Sequence, residues 1–373
     1  MTRVVLAPDK FKGTLTAAEV AGHLAAGMRG IDTVTVPIAD GGDGLLDALD
    51  RGGFARVGVD AVDALGERRP TSYLRRGAEA VVELAAVCGL SQLGPVRAPM
   101  TATSRGVGEV VAAALDAGCR HIVLGIGGSA STDGGVGMVQ ALGARVLDAN
   151  GAEVGPGGDG ARAATELELS GLHPGLADAV LEMACDVDNP LTGPSGAAAV
   201  YGPQKGADDE HVRRLDAGLG TWADVVAAVT GADHRHDPGA GAAGGVGFGA
   251  VAVLGAALRP GMELLLDVVG FRAAAAGADL VVTGEGSLDE QTLWGKAPAG
   301  VAAAARELGV PVIAVAGRCT LDDVQLEAAG FDAMYTLLDE AETPDEAFTA
   351  PGPLLQRIGA RIAGRVGERL GHA

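Results

Sequence analysis

The stretch of this chain best equipped for chemistry is residues 121–137, HIVLGIGGSASTDGGVG. A short apolar run breaks into Gly125, Gly127 and Gly128, then Ser129, Ser131 and Thr132, then Asp133 and a second glycine pair. Glycines accept φ > 0 and bring backbone N–H groups close to phosphate oxygens, and a following helix N-terminus adds partial positive charge. The spacing predicts an anion-binding turn. The competing reading is a plain glycine-rich turn in a chain that holds 60 Gly.

Other segments carry further candidate groups. In APDKFKG, residues 7–13, Lys10 and Lys12 flank an aspartate at the end of a strand, where ligands of open α/β sheets lie. They could meet a carboxylate or phosphate, or simply be exposed loop lysines. In IADGGDG, residues 38–44, Asp40 and Asp43 are spaced to hold Mg²⁺ through water or to accept a substrate hydroxyl. Asp43 would serve equally as a helix cap. In ACDVDNPL, residues 184–191, Asp186 and Asp188 leave a strand on one side, and Asp186 could orient or deprotonate a hydroxyl. Asx turns are the alternative for Asp188 and Asn189. Lys205, in GPQKG, could approach an acidic group. In VTGEGSLDEQT, residues 282–292, a strand runs into Gly284, Glu285 and Gly286, and Lys296 follows at the mouth of a helix, well placed for phosphate. No GxxxxGK[ST] occurs, so this is not a Walker A loop.

The elements that must hold these groups read as βα units. Apolar runs at 4–7, 122–126, 280–283 and 312–316 each precede an Ala-rich helical period, at 16–27, 136–142, 297–308 and 321–329. Thr16 and Glu19 form a capping box. Residues 34–38 and 333–337 add strands, and 57–59, 72–74, 80–84 and 180–185 are β-like. Residues 144–157 read as a hairpin with Asn150-Gly151 at its tip. The expected architecture is α/β. A doubly wound, Rossmann-like or flavodoxin-like parallel-sheet domain comprises 1–53, 96–143 and 277–373. A second mixed α/β domain comprises 54–95 and 144–276, with a cleft between the two; a single insertion over about 67–275 is the simpler division.

Composition narrows the function class. A length of 373 residues suits about two domains. A formal net charge of −20 argues against a nucleic-acid partner, because no basic stripe could neutralise phosphates, and any anionic substrate must be met by local donors, placed cations or a metal. The four cysteines form no CxxC pair, and with seven His no zinc site is apparent. No run of roughly 18 apolar residues occurs, so no membrane partner is expected. The start reads as a short strand rather than a signal peptide, so the expected location is cytoplasmic. A homodimer is admitted but not required.

Taken in order, APDKFKGTLTAAEVA, PIADGGDG, TSRGVGE, GIGGSASTDGGVGM, ACDVDNPLTGPSGAAAVYGPQKGA, GAGAAGGVG and VVTGEGSLDEQTLWGK resemble the type 1 glycerate kinase family. The pieces spread over residues 4–296 and the tail continues the βα pattern, so the resemblance covers essentially the whole chain. It implies ATP-dependent phosphorylation of D-glycerate with Mg²⁺, by a two-domain α/β protein, with the 2-phosphate as product. The roles expected on that basis follow from phosphoryl transfer, which needs alignment and charge neutralisation. Gly127, Gly128, Ser129, Ser131 and Thr132, with Gly284, Glu285, Gly286 and Lys296, would cradle the ATP phosphates. Asp40, Asp43 and Asp133 would hold Mg²⁺, Asp186 would orient or deprotonate the glycerate hydroxyl, and Lys10, Lys12 and Arg105 would pin its carboxylate. Lys10 stands where many members have Ser, Asp43 where many have Glu, Thr132 where Asn is frequent and Arg105 where Tyr is common. These departures bear on substrate preference more than on reaction type. A dinucleotide-dependent dehydrogenase would need a glycine where Ala130 stands. A non-catalytic organic-acid binder would need one phosphate-like loop rather than two. A kinase of another small hydroxy acid, or one forming the 3-phosphate, stays open.

Overall fold

The computed structural model of the chain describes residues 2–36, 38, 45–49, 53–294 and 297–370. Strands in chain order are β1 (Arg3–Pro8), β2 (Asp32–Thr35), β3 (Ala55–Val62), β4 (Arg68–Arg76), β5 (Glu79–Glu83), β6 (His121–Gly125) and β7 (Arg145–Leu147). They continue with β8 (Glu166–Glu168), β9 (Val180–Ala184), β10 (Ala257–Arg259), β11 (Leu280–Leu288), β12 (Val312–Cys319) and β13 (Ala333–Thr336). The fold is mixed α/β, in two compact units: Met1–Asp40 with Met262–Ala373, and Gly41–Gly261.

The first unit is built on a five-stranded parallel sheet in the order β13-β12-β11-β1-β2. Val4, Leu6, Val282 and Val315 are buried in its core, as strands covered by helices require. The chain steps from β1 to β2 in one direction and from β11 through β12 to β13 in the other, so strand order reverses between β1 and β11. The helix Ala17–Gly27 starts on the expected capping box, in which Glu19 Oε2 accepts the Thr16 N–H at 2.8 Å and Thr16 Oγ1 accepts the Glu19 N–H at 3.3 Å. That helix packs on Pro351–Leu370, and the approach is close because Gly27 lacks a Cβ. One placed there would lie 2.1 Å from the Gln356 carbonyl oxygen. β11 was expected to end near Thr283. It runs to Leu288 instead, because its second half pairs on with β12 as far as Ser287 opposite Arg318 and Leu288 opposite Cys319.

The second unit carries a six-stranded sheet in the order β10-β9-β6-β5-β4-β3, parallel from β10 to β5 and antiparallel from β5 to β3. This placement differs from the expected division. Residues 96–143 do not join the sheet of β1, because β6 pairs with β5 and β9. Residues 262–276 belong to the first unit. The Asp148–Gly151 turn forms, with Asp148 Oδ1 accepting the N–H groups of Asn150 and Ala152 at 2.9 and 3.0 Å. The ladder partner of β7, however, is β8, and the near arm supplies an isolated Leu147–Glu153 bridge. Trp222 and Phe248 fill the core under the helices Asp209–Thr230 and Ala242–Leu254. The second of these is broken near its start, where Ala243, Gly244 and Gly245 take φ of 55°, 73° and 88°. Among the described residues no helix is long and apolar enough to cross a membrane.

Candidate active site

In the first unit a cleft of about 800 Å³ opens at the carboxyl ends of β1, β11 and β12, where strand order reverses. Ligands of open α/β sheets bind at this point because the loops of oppositely directed crossovers splay apart there. Lys10 and Lys12 reach it from the loop after β1, Glu285 and Gly286 from β11, and Arg318 from β12. The Asp9 N–H donates to the Gly284 carbonyl at 2.7 Å and the Lys10 N–H to Asp9 Oδ1 at 2.6 Å, which ties the basic loop to β11. Glu285 Oε1 accepts the Thr292 hydroxyl at 2.6 Å, and Arg318 Nε donates to Ser287 Oγ at 3.0 Å. The expected glycines divide in role. A Cβ at Gly284 would sit 1.8 Å from the Val315 carbonyl oxygen, so this glycine is required for strand packing. A Cβ at Gly286 would meet the Lys12 nitrogen at 3.3 Å, so that glycine lets the basic loop close on β11. Lys296, expected at the mouth of the next helix, lies outside the described residues.

In the second unit the loop after β6 departs from its expected form. Gly127 and Gly128 are exposed, and Gly128 is left-handed with φ 69°. The loop then turns inward, pinned by the Leu90 N–H to the Gly128 carbonyl at 2.8 Å and the Ala130 N–H to the Cys88 carbonyl at 3.0 Å. Ser129, Ser131, Thr132 and Asp133 are all buried. Beneath them lies Lys205, 2% exposed, whose Nζ donates to Ser129 Oγ at 2.8 Å and the Ser131 carbonyl at 2.6 Å. Burial brings the Lys205 ammonium down to about 7, against the pull of the Asp133 charge. The Ser131 and Thr132 hydroxyls have no protein partner among the described residues, a cost of about 1–3 kcal/mol each unless a water or ligand oxygen meets them.

Asp133, expected among the metal ligands, has a different geometry. Its Oδ2 accepts the Ser104 N–H and hydroxyl, both at 2.8 Å, and the Gly137 N–H at 3.3 Å, while Oδ1 accepts the Gly135 N–H at 3.1 Å. Burial raises its pKa, and those four donors pull it back. The carboxylate thus anchors the loop and presents no open face to a cation. The same bonds correct the expectation that a helix N-terminus here receives an anion. The helix Val136–Ala141 has six residues, and its leading N–H groups go to Asp133 and, from Met138, to Ser104 Oγ at 3.0 Å.

The remaining candidates are Arg105, Asp186, Asp40 and Asp43. Arg105 opens the helix Arg105–Asp116 and pairs with Glu109 one turn on, Nε to Oε1 at 3.5 Å. Asp186 is exposed just beyond β9, where its Oδ1 accepts the Gly261 N–H at 2.7 Å. Asp40 and Asp43 lie outside the described residues. The first described N–H groups of the helix Leu45–Leu49, those of Leu45 and Leu46, donate to the buried Glu83 carboxylate at 3.3 and 3.2 Å. Among the described residues no group of three His, Cys, Asp or Glu is gathered as a metal cage. Sequence reasoning missed Ser104 as the partner of Asp133 and Gly244 as the roof of the buried lysine. A Cβ at Gly244 would lie 2.0 Å from the Ser131 carbonyl oxygen and 2.9 Å from Lys205 Nζ. The available signal was the run GAGAAGGVG, too glycine-rich for an ordinary helix start.

Known proteins place this arrangement. A profile described as "Glycerate kinase family" matches residues 4–367. The chain is 42% identical to the glycerate kinase of Bacillus subtilis (strain 168), over 98% of this chain and 97% of that protein. It is 41% identical to the glycerate 2-kinase of Escherichia coli (strain K12), over 97% of each. A crystal structure described as a candidate glycerate kinase 2 from Salmonella typhimurium LT2 superimposes with a TM-score of 0.87 at 40% identity, over 99% of both chains. Similarity of this depth spans nearly the whole length of the chain, so the chain is an enzyme that belongs to the glycerate kinase family.

Proposed function

We propose that this enzyme transfers the γ-phosphoryl group of ATP to the C2 hydroxyl of D-glycerate, giving 2-phosphoglycerate and ADP. The observation that carries the reading is full-length similarity to proteins named glycerate kinase and glycerate 2-kinase. It is supported by a cleft that brings Lys10, Lys12 and Arg318 beside the carboxylates Asp9, Glu285 and Asp289 at the strand ends. Transfer of this kind needs an aligned hydroxyl and neutralised phosphate charge more than covalent help from the protein.

In this reading Lys10 and Lys12 meet the anionic groups of the substrates, and the exposed Gly127–Gly128 corner offers backbone N–H groups to phosphate. Asp186, steadied at Oδ1 by the Gly261 N–H, has Oδ2 to accept the glycerate hydroxyl proton. The substrate oxygen bonds to the γ-phosphorus as the bond to the bridging oxygen breaks, and the proton passes from Asp186 to solvent. Arg105 reaches the substrate carboxylate only by loosening its pairing with Glu109. Mg²⁺ would accompany the nucleotide. Asp133 does not fit as its ligand, since both oxygens already take donors, which leaves Asp40 and Asp43 as the candidate carboxylates. The first unit is read as a doubly wound, Rossmann-like layer on account of its reversed strand order. Light scattering distinguishes a monomer from the homodimer that the sequence reading admits.

The test is incubation with ATP, Mg²⁺ and D-glycerate, followed by phosphorus NMR. A 2-phosphoglycerate resonance is expected. The 3-phosphate would keep the kinase and overturn the regiochemistry. Absence of glycerate-dependent ADP release, with turnover of another hydroxy acid, would overturn the substrate.

A further inference from the structure

The cleft of the first unit is lined by two chemically different sets of residues. Lys10, Lys12 and Arg318 stand at the strand ends together with the carboxylates of Asp9, Glu285 and Asp289. The wall contributed by the segment after β13 is apolar, formed by Leu337, Leu338, Pro344, Ala347 and Phe348. Phe348 is unlike every other phenylalanine in the chain. Phe11, Phe54, Phe248, Phe271 and Phe331 are at most 7% exposed, whereas Phe348 is 68% exposed. It belongs to the short helix Glu346–Thr349, in which the neighbouring Ala347 is buried. The core therefore takes one residue of this turn, and the aromatic ring is left on the cleft wall.

We propose that the apolar wall of this cleft is a nucleoside subsite: the adenine of ATP stacks on Phe348 beside Leu338 and Pro344, and its phosphates run toward Lys10, Lys12 and Arg318. The ligand class rests on the kinase reading above. A volume of about 800 Å³ is within the range of pockets that enclose cofactor-sized molecules. Every base offers a π-face that an exposed aromatic ring accepts, and a polyphosphate tail requires cations, which line the same cleft as the ring. The strand-order reversal between β1 and β11 puts the phosphates where Lys10 and Glu285 emerge.

Calorimetric titrations with ADP and, in parallel, with inorganic tripolyphosphate separate the base from the phosphates. In Phe348→Ala the dissociation constant for ADP is expected to rise about tenfold, as for loss of a base–aromatic stack, while tripolyphosphate binding stays at the parent value. Phe348→Trp restores ADP binding and gains an ADP-dependent fluorescence quench larger than the parent's. Equal ADP affinity in the parent and Phe348→Ala overturns the proposal, as does an equal loss for tripolyphosphate. These titrations need neither glycerate nor turnover. Failure to phosphorylate glycerate would strike the proposed reaction and leave the subsite standing, whereas a parent that binds no ADP would overturn both.

Discussion

Replacing Asp133 tests whether its carboxylate holds a loop or a metal. Four donors converge on it at 2.8, 2.8, 3.1 and 3.3 Å inside a fully buried site. Asp133→Ala orphans three backbone N–H groups and the Ser104 hydroxyl. Each buried unpaired group costs about 1–3 kcal/mol, partly offset because a buried carboxylate no longer has to be desolvated. A net loss of about 3–5 kcal/mol is expected, as for other buried charged groups that lose their partners. Asp133→Asn can keep an oxygen at the Oδ2 position for three of the donors but turns an NH₂ toward the Gly135 N–H, so about 1–3 kcal/mol is expected. Urea unfolding followed by tryptophan emission of a Trp294→Phe background reports on this unit, because Trp222 Nε1 donates to the Gly134 carbonyl at 3.0 Å. The Mg²⁺ concentration for half-maximal turnover should stay at the parent value in Asp133→Asn. A variant as stable as the parent, with a Mg²⁺ requirement raised tenfold or more, would refute the anchoring role and restore Asp133 as a ligand.

Lys205 makes stability depend on pH in a predictable direction. Its folded-state value near 7 lies below the ordinary 10.5, so between those values the unfolded chain holds one more proton and stability rises with pH. Below about 7 both states are protonated and the difference is constant. Relative to Lys205→Met, the parent should gain stability from pH 7 toward 10, and parallel urea midpoints at pH 6, 8 and 9.5 would contradict this. Gly244→Ala should cost about 3 kcal/mol or more, because a left-handed φ of 73° combines with a Cβ 2.0 Å from the Ser131 carbonyl oxygen; thermal unfolding at the parent midpoint would count against that packing. Asp186→Asn should lower kcat about 100-fold or more with unchanged thermal unfolding, and a folded variant turning over at the parent rate would remove Asp186 from the chemistry.

Much of this protein is written in residues three or four apart or in single short runs. The Thr16–Glu19 capping box joins side chains one turn apart, and it forms as the local pattern requires. The apolar runs behind β1, β6, β11 and β12 each precede a helix, as their lengths and the Ala-rich periods after them predict. The ordered motifs identify the family, because seven unusual segments in one order carry far more information than any glycine pair alone. These are local signals, decided by backbone preference and by one turn of neighbours.

Tertiary structure decided which strand pairs with which and which charges are buried. β6 and β1 are both short apolar runs followed by glycines or a polar loop, and their sequences do not say that β6 lies between β5 and β9 while β1 lies between β11 and β2. Asp133 reads as a ligand until Ser104, 29 positions upstream, is seen to occupy it. Lys205 reads as a loop cation until Ser129, 76 positions away, is found on its ammonium. Nothing in the sequence around Phe348 sets it apart from the other phenylalanines, and only the turn that buries Ala347 leaves it exposed. The physical reason is common to all four. Burial and pairing are properties of surfaces that meet across long chain separations, so the same carboxylate, amine or ring acquires its chemistry from neighbours its local sequence does not contain.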